Sequence, residues 1–131
     1  MFVLDTNTLI YFFKGVGQVA ERLLAVSPRE IGIPAVVLFE LEVGLAKSTD
    51  PRKRQQQLAD MVTAVEILPF STVEAREAAK IRAHLEQIGE PIGPYDVLIA
   101  ATAKANGGTL ITHNVKEFGR VPDLSLADWY E

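Results

Sequence analysis

Short apolar runs alternate along the chain with longer stretches whose apolar residues recur every three to four positions. The short runs predict β-strands, because a strand buried on both faces of a parallel sheet is almost continuously apolar. They lie at residues 2–4, 30–33, 67–68, 109–112 and, as a possible fifth strand, 124–126. The longer stretches predict helices. These helices are expected at residues 6–13, 18–26, 34–47, 51–65, 71–88 and 95–105.

Residues with known positional preferences mark several helix boundaries. Pro34 suits the first position of its helix, and Asp50, directly before a proline, is the predicted cap of the next helix. Ser71 and Glu74 form a capping-box signature, and Gly89 is typical of a helix end. These signals support the helix positions that the apolar pattern predicts.

Strands that alternate with helices predict an α/β fold. We expect a short parallel sheet of four to five strands with helices on both faces, in one domain that spans residues 1–131. Ligands of such sheets bind beyond the carboxyl ends of the strands, where the strand order reverses. Candidate functional residues should therefore follow the strands directly.

The composition narrows the class of protein. Hydrophobic residues make up 48% and charged residues 23% of the chain, which is typical of a globular protein. No stretch is long enough to cross a bilayer, and Asp5 interrupts the apolar start too early for a signal peptide. Cysteine is absent, which excludes disulfides and the usual cysteine-containing zinc sites. We expect a cytoplasmic protein with no membrane partner.

The net charge of −4 counts against a protein that holds nucleic acid by its overall charge. Nucleic acid would need a local basic patch, or metal ions that bridge acidic side chains to phosphates. Residues 52–54, Arg-Lys-Arg, could contact phosphates, but such a run is more typical of a solvated helix face.

Several polar residues are expected at one edge of the predicted sheet, and each of them taken alone could have a purely structural role. Asp5 follows the first strand and could be a helix N-cap; Asn114 follows the fourth and could be a turn residue. Asp96, in the first turn of the last predicted helix, could simply match the helix dipole. Their joint placement is what favours a functional site.

A fourth candidate lies on the helix at residues 34–47, which is apolar nearly all round. An acid on such a helix is costly unless it is paired or binds a metal ion. Glu40 and Glu42 are two residues apart and point to roughly opposite sides, so only one can face a given site. Periodicity does not choose between them.

Converging acids in a chain with no cysteine and only two histidines suit a hard cation with oxygen ligands. The sequence therefore predicts Mg²⁺ as the cofactor, with Mn²⁺ as a substitute.

At these residues the chain resembles the PIN-domain ribonucleases and, among them, the VapC toxins of bacterial toxin–antitoxin pairs. The resemblance covers essentially the whole chain. Four stretches carry it in order: Leu4-Asp5-Thr6-Asn7; Phe39-Glu40-Leu41 with Gly44; Ile92-Gly93-Pro94-Tyr95-Asp96 with Ile99-Ala100-Ala101; and Thr112-His113-Asn114 with Glu117-Phe118.

The resemblance implies roles for individual residues. Asp5, Glu40 and Asp96 would be the metal-binding catalytic acids, which selects Glu40 over Glu42. Asn114 stands where many PIN domains have a fourth acid, so a second tightly held metal ion is in doubt. An amide there could still contact a metal-bound water or the substrate. Supporting or substrate-contacting roles would fall to a further group: Thr6, Asn7, Thr112 and Arg82.

The resemblance also implies an activity and partners. The chain would hydrolyse RNA, with tRNA favoured, by in-line attack of water that leaves a 5′-phosphate and a 3′-hydroxyl. A VapB-type antitoxin would cover the acidic groove, often with an arginine, and the chain would form a homodimer. The aromatic run at residues 11–13 cannot be buried on one helix face throughout, which suggests an exposed apolar patch.

Three alternatives compete with this interpretation. A phosphoryl-transfer enzyme of the haloacid dehalogenase type would use Asp5 as nucleophile but needs a second aspartate two residues later, where this chain has Asn7. A receiver-like signalling domain needs an acid pair and a late lysine loop, and neither is clear. A catalytically silent PIN domain would only bind, and the intact acids argue against it.

Overall fold

Five short parallel strands form the centre of the computed structural model, which covers residues 1–131. They are β1 (Phe2–Leu4), β2 (Ile31–Pro34), β3 (Glu66–Leu68), β4 (Thr109–Ile111) and β5 (Ser125–Ala127). Their order across the sheet is β3-β2-β1-β4-β5, and every neighbouring pair is parallel. The order reverses between β1 and β4, so the carboxyl ends of these two strands flank the crevice where ligands of such folds bind.

Seven helices connect and cover the strands. They are α1 (Thr6–Lys14), α2 (Val19–Leu24), α3 (Ala35–Lys47), α4 (Arg52–Ala64), α5 (Thr72–Gln87), α6 (Pro94–Ala105) and α7 (Val115–Phe118), with a 3₁₀ turn at Pro28–Glu30. Right-handed crossovers place α1 to α4 on one face and α5 to α7 on the other, because the two sets join strands in opposite directions across the sheet. None of the helices combines the length and the hydrophobicity needed to cross a membrane.

The central strands supply the most deeply buried part of the core. Val3, Leu4, Leu110 and Ile111 of β1 and β4 are all 0% exposed. Parallel strands covered on both faces require such runs, because each successive side chain enters a different apolar layer. The rigid centre thus lies directly behind the residues that follow these two strands.

The structure confirms the α/β class and the fifth strand, and it also confirms the capping box: the Ser71 amide donates to Glu74 Oε1 at 2.8 Å. Two boundary predictions are wrong. Pro34 is the last residue of β2 rather than the first of α3, since its φ of −57° and ψ of 141° are extended. Asp50 does not cap α4, because its carboxylate accepts a hydrogen bond from Arg52 Nε at 3.2 Å and the cap position falls to Pro51.

Candidate active site

Asp5 is fixed at the carboxyl end of β1 by its backbone and its side chain together. Its amide donates to the Ile111 carbonyl at 3.2 Å, which extends the β1–β4 pairing by one residue. Its Oδ1 accepts from the Thr8 amide at 2.8 Å, so Asp5 is the N-cap of α1, as one interpretation of the sequence proposed. The residue is only 5% exposed. An N-cap role is compatible with a functional role, because a carboxylate has a second oxygen.

Burial raises the pKa of Asp5, and the negative charge of Glu40 raises it further. Hydrogen bonds from Thr112 and Thr8 lower this pKa and offset part of the effect of burial. The predicted supporting residue Thr112 is itself 0% exposed at the end of β4. Thr112 therefore lies beside Asp5, and its supporting role stays a prediction.

Glu40 lies in the second turn of α3, close to the strand ends, and faces the same region as Asp5. Thr6 Oγ1 donates to Glu40 Oε1 at 2.7 Å, so the first residue of α1 holds the carboxylate on α3. Glu40 is partly buried, whereas Glu42 is exposed. The geometry therefore distinguishes the two glutamates that periodicity left open.

Asp96 occupies the first turn of α6, where the helix N-terminus points toward the carboxyl ends of the strands. Burial is the largest cause that raises the pKa of Asp96 to about 6, and the charges of Glu117, Asp5 and Glu40 raise it further. These three acids therefore lie near enough to act on the Asp96 carboxyl group.

Glu117 is the residue that sequence reasoning missed as part of this cluster. It lies on α7, and its charge is the largest contribution of any neighbour to the raised pKa of Asp96. Asn114, at the start of α7, donates from Nδ2 to Glu117 Oε2 at 3.1 Å. Glu117, three residues after Asn114, thus adds a fourth acid to the group around Asp96.

No cation balances this acid cluster, which we define as Asp5, Glu40, Asp96 and Glu117. All four ion pairs of the structure use other acids. No three of the four acids bring their oxygens within 4.8 Å of one another, so the negative charges are near but spread out. Partly buried carboxylates without a cationic partner fit a hard divalent cation, which supplies the missing charge through oxygen ligands.

Two other predicted residues lie outside the cluster. Asn7 is exposed on α1 and makes no side-chain hydrogen bond. Arg82 is exposed on α5, where its Nε pairs with Glu86 at 2.8 Å. The structure does not bring Arg82 together with the acids.

A second group of metal-ligand side chains lies beyond β4 and β5. His113, Asp128 and Glu131 bring one ligand atom each within 4.8 Å of one another. His113 Nδ1 lies 2.8 Å from Asp128 Oδ2, and the imidazole stacks on Tyr130 with ring centroids 4.3 Å apart. These contacts tie the end of the chain to the loop after β4, and the group is distinct from the acid cluster.

Comparison with known proteins identifies the family. The sequence matches the PIN domain family over residues 2–124. It is 33% identical over 128 residues to the tRNA(fMet)-specific endonuclease VapC of Salmonella typhimurium, with 98% of this chain and 97% of that protein covered. It is 37% identical over 131 residues to Ribonuclease VapC2 of Rickettsia felis, with 98% of each covered.

The fold agrees with the sequence match. The structure superposes on a crystal structure of VapBC2 from Rickettsia felis bound to a DNA fragment from their promoter, with a TM-score of 0.90. The two chains are 35% identical in that comparison, and 98% of each is covered. This chain therefore belongs to the PIN domain family and, within it, to the VapC ribonucleases.

Proposed function

We propose that this chain is a divalent-metal-dependent endoribonuclease, the toxin of a toxin–antitoxin pair, and that it hydrolyses RNA phosphodiester bonds. The observation that carries this proposal is the acid cluster without a cationic partner, at the reversal point of the sheet, in a member of the VapC ribonucleases. Carboxylates alone would repel RNA, so the activity requires a cation at the cluster.

Asp5, Glu40 and Asp96 would hold this cation, which we expect to be Mg²⁺ with Mn²⁺ as a substitute, and Glu117 would complete the acidic set. A bound divalent ion supplies positive charge to the phosphate and lowers the pKa of water. The Asn114 amide donates to Glu117 and would keep that carboxylate directed to the site.

The protein's own contribution is to hold these ligands in place before substrate arrives. The Asp5 carboxylate is fixed by the Thr8 amide at 2.8 Å, and the Glu40 carboxylate by the Thr6 hydroxyl at 2.7 Å. Ligands fixed by neighbouring hydrogen bonds lose little freedom on binding a metal ion. Asp96, whose pKa is about 6 without a metal ion, is a ligand for which protons compete as the pH falls below neutrality.

We infer that the substrate is tRNA in the cytoplasm. The Salmonella typhimurium relative is named for cleavage of tRNA(fMet), and it is similar to this chain over nearly the whole length of both. An anticodon region offers unpaired nucleotides that can enter a crevice at a sheet edge.

We infer that a VapB-type antitoxin binds an apolar groove of about 460 Å³ between α1, α2 and α4, and extends from there to the acid cluster. Phe12, Phe13 and Leu23 line the groove, and Leu24 on its rim is 75% exposed. An amphipathic antitoxin helix suits such a groove, and an arginine beyond it would suit the acids. The aromatic run of α1 thus contributes to a groove.

We also expect this chain to form a homodimer, which light scattering of the purified protein would measure.

A phosphoryl-transfer enzyme with Asp5 as nucleophile is the second candidate that the sequence raised. Asp5 is 5% exposed and its Oδ1 is engaged by the Thr8 amide. An aspartyl nucleophile of this class acts with a second aspartate two residues later, and this chain has the exposed Asn7 there, which favours a ligand role for Asp5.

The test is cleavage of total tRNA by the purified, antitoxin-free chain with Mg²⁺, with Mn²⁺ and with chelator, beside Asp5→Asn. Asparagine can still cap α1, so the variant should fold. We expect metal-dependent cutting that the variant lacks. Failure of the folded wild type to cut either tRNA or rRNA would favour the silent binding module.

A further inference from the structure

A cleft of about 530 Å³ opens beside the acid cluster, between α1, α3 and the start of α4. The acid Glu40 lines it, together with three cations, Lys14, Lys53 and Arg54. The cleft therefore places one member of the acid cluster and three basic side chains along one continuous surface.

The three cations have no acidic partner. All four ion pairs of the structure use other basic groups. Arg54 is held by uncharged neighbours: its Nη1 donates to Gln57 Oε1 at 2.8 Å, and its guanidinium lies 5.3 Å from the centroid of the Phe13 ring. Asp50, the other acid that lines the cleft, pairs with Arg52. In a chain of net charge −4, unpaired cations that share one cleft are available to an anionic ligand.

The cleft runs along α1 away from the acids. Thr6, which holds Glu40, and Lys14 lie at opposite ends of this helix, about 12 Å apart at 1.5 Å per residue. At a rise of about 3.4 Å per nucleotide, this distance corresponds to a few nucleotides of one strand. An RNA strand with one phosphate at the acids would thus bring later phosphates near Lys14.

Gly44 leaves the floor of the cleft open. It lies on α3 one turn after Glu40, lines the cleft, and an added Cβ would meet nothing within 4 Å. A single added methyl group therefore has room there, whereas a side chain of several carbons would extend into the space between Glu40 and the cations.

We propose that this cleft binds the sugar–phosphate backbone of single-stranded RNA on one side of the bond that is cut, with Lys14, Lys53 and Arg54 contacting phosphates. The inference rests on the proposed ribonuclease function and adds a substrate-binding site to it. An RNA strand that is bound at the acid cluster continues beyond it, and this cleft provides cations that can contact its next phosphates. An acidic segment of a protein partner has no comparable reason to extend to Glu40.

The test compares Lys14→Gln/Lys53→Gln with Arg76→Gln/Lys80→Gln, a control that removes the same charge from exposed positions on α5. With a labelled anticodon stem-loop and Mg²⁺, we expect the KM of cleavage by the cleft variant to rise on the order of tenfold, while kcat stays near that of wild type. Binding in chelator should lose about 1.4 from the slope of log K against log salt, at about 0.7 per lost phosphate contact. The control should behave like wild type in both measurements.

A second variant tests the cleft without a change of charge. Gly44→Leu places a good helix former at an exposed position, so the chain should fold, and its side chain should fill the cleft and raise KM. Gly44→Ala is the matched control and should cut nearly as well as wild type.

Each outcome separates the two proposals. Unchanged KM and salt slope in both cleft variants, with a wild type that cuts, would overturn the cleft inference and leave the ribonuclease function intact. A wild type that neither cuts nor binds RNA would overturn both. Loss of antitoxin binding with unchanged RNA kinetics would assign the cleft to the protein partner and also overturn the inference.

Discussion

Replacement of Asp96 by asparagine should stabilise the metal-free protein while it abolishes cleavage. Asparagine keeps the shape of the side chain and removes one negative charge from a cluster that no cation balances. Like charges that are held together to bind a metal ion repel one another when the ion is absent, so the Asp96 carboxylate should support activity but destabilise the metal-free fold.

The magnitude follows from the pKa of Asp96, which is about 6 in the folded chain against 3.8 for an unperturbed aspartate. Between these values the folded state binds more protons than the unfolded state, so stability falls as pH rises through this window and the full penalty is present above it. At 1.36 kcal/mol per pKa unit the difference corresponds to at most about 3 kcal/mol. Because Asp96 is only partly buried, solvent screening should reduce the penalty to roughly 1–2 kcal/mol.

The assay is thermal unfolding in chelator from pH 4 to pH 8. At pH 8, Asp96→Asn should raise Tm by about 3–8 °C, and the difference should vanish near pH 4, where the native aspartate is protonated. Glu117→Gln removes the neighbouring charge with the largest effect on the pKa of Asp96, and it should raise Tm by less than Asp96→Asn does. Glu42→Gln, an exposed acid on α3, is the control and should change Tm little. Added Mg²⁺ should stabilise wild type and not Asp96→Asn.

A Tm for Asp96→Asn well below that of wild type at pH 8 in chelator would refute the reasoning. It would mean that the carboxylate stabilises the metal-free fold, and the acid cluster could then not be described as strained. An equal gain from Glu42→Gln would refute it in another way, because the effect would then belong to the net charge of the chain.

Three further changes test other parts of the structure. Thr6→Val removes the hydroxyl that holds Glu40 in place. It should lower kcat several-fold and lower the free energy of unfolding in denaturant by about 0.5–1.5 kcal/mol. An unchanged kcat would contradict the positioning role of Thr6. Gly17→Ala should lower Tm more than Gly15→Ala. Both glycines have positive φ, but only at Gly17 would an added Cβ lie 2.7 Å from the Tyr130 ring. Equal Tm values would contradict this steric account. Leu24→Glu should leave cleavage and Tm near wild type yet weaken antitoxin binding in a pull-down, and full retention of antitoxin would place the partner elsewhere.

The sheet could be predicted from the sequence because each strand is an apolar run that is too short to form a helix. Val3 and Leu4 are successive residues of β1 and point to opposite faces of the sheet, and both are 0% exposed, so the sheet has to be covered on both faces. Asp5 was found for the same reason, since it follows such a run directly. Asp96 and Asn114 were found by their places beside predicted element ends.

The remainder depended on contacts that the local sequence does not encode. The helix that carries Glu117 has four residues, Val115–Phe118, too few to show a helical period. Its role appears only when α7 folds back toward α6, which is a tertiary event. The sequence offered two signals for it, its spacing of three residues from Asn114 and its place in the last stretch that carries the family resemblance, but neither gave it a role. Periodicity likewise could not choose between Glu40 and Glu42; the family resemblance selects Glu40, and the physical reason is the Thr6 hydroxyl, which lies 34 residues away in the chain.

The net charge of −4 argued against nucleic acid at first, and the structure resolves this conflict through the location of the charges. The four acids of the acid cluster lie near one another without a cationic partner, and three cations without an acidic partner line the neighbouring cleft that Glu40 shares. A divalent ion at the acids would reverse the sign of the potential there and join the two regions into one continuous positive surface. RNA affinity would then depend on the metal ion as much as on the cations, because without the ion the strand would meet repulsion at one end of its path. An acidic chain can in this way bind RNA more tightly when the metal ion needed for cutting is present, while the cations of the cleft still hold RNA more weakly in its absence.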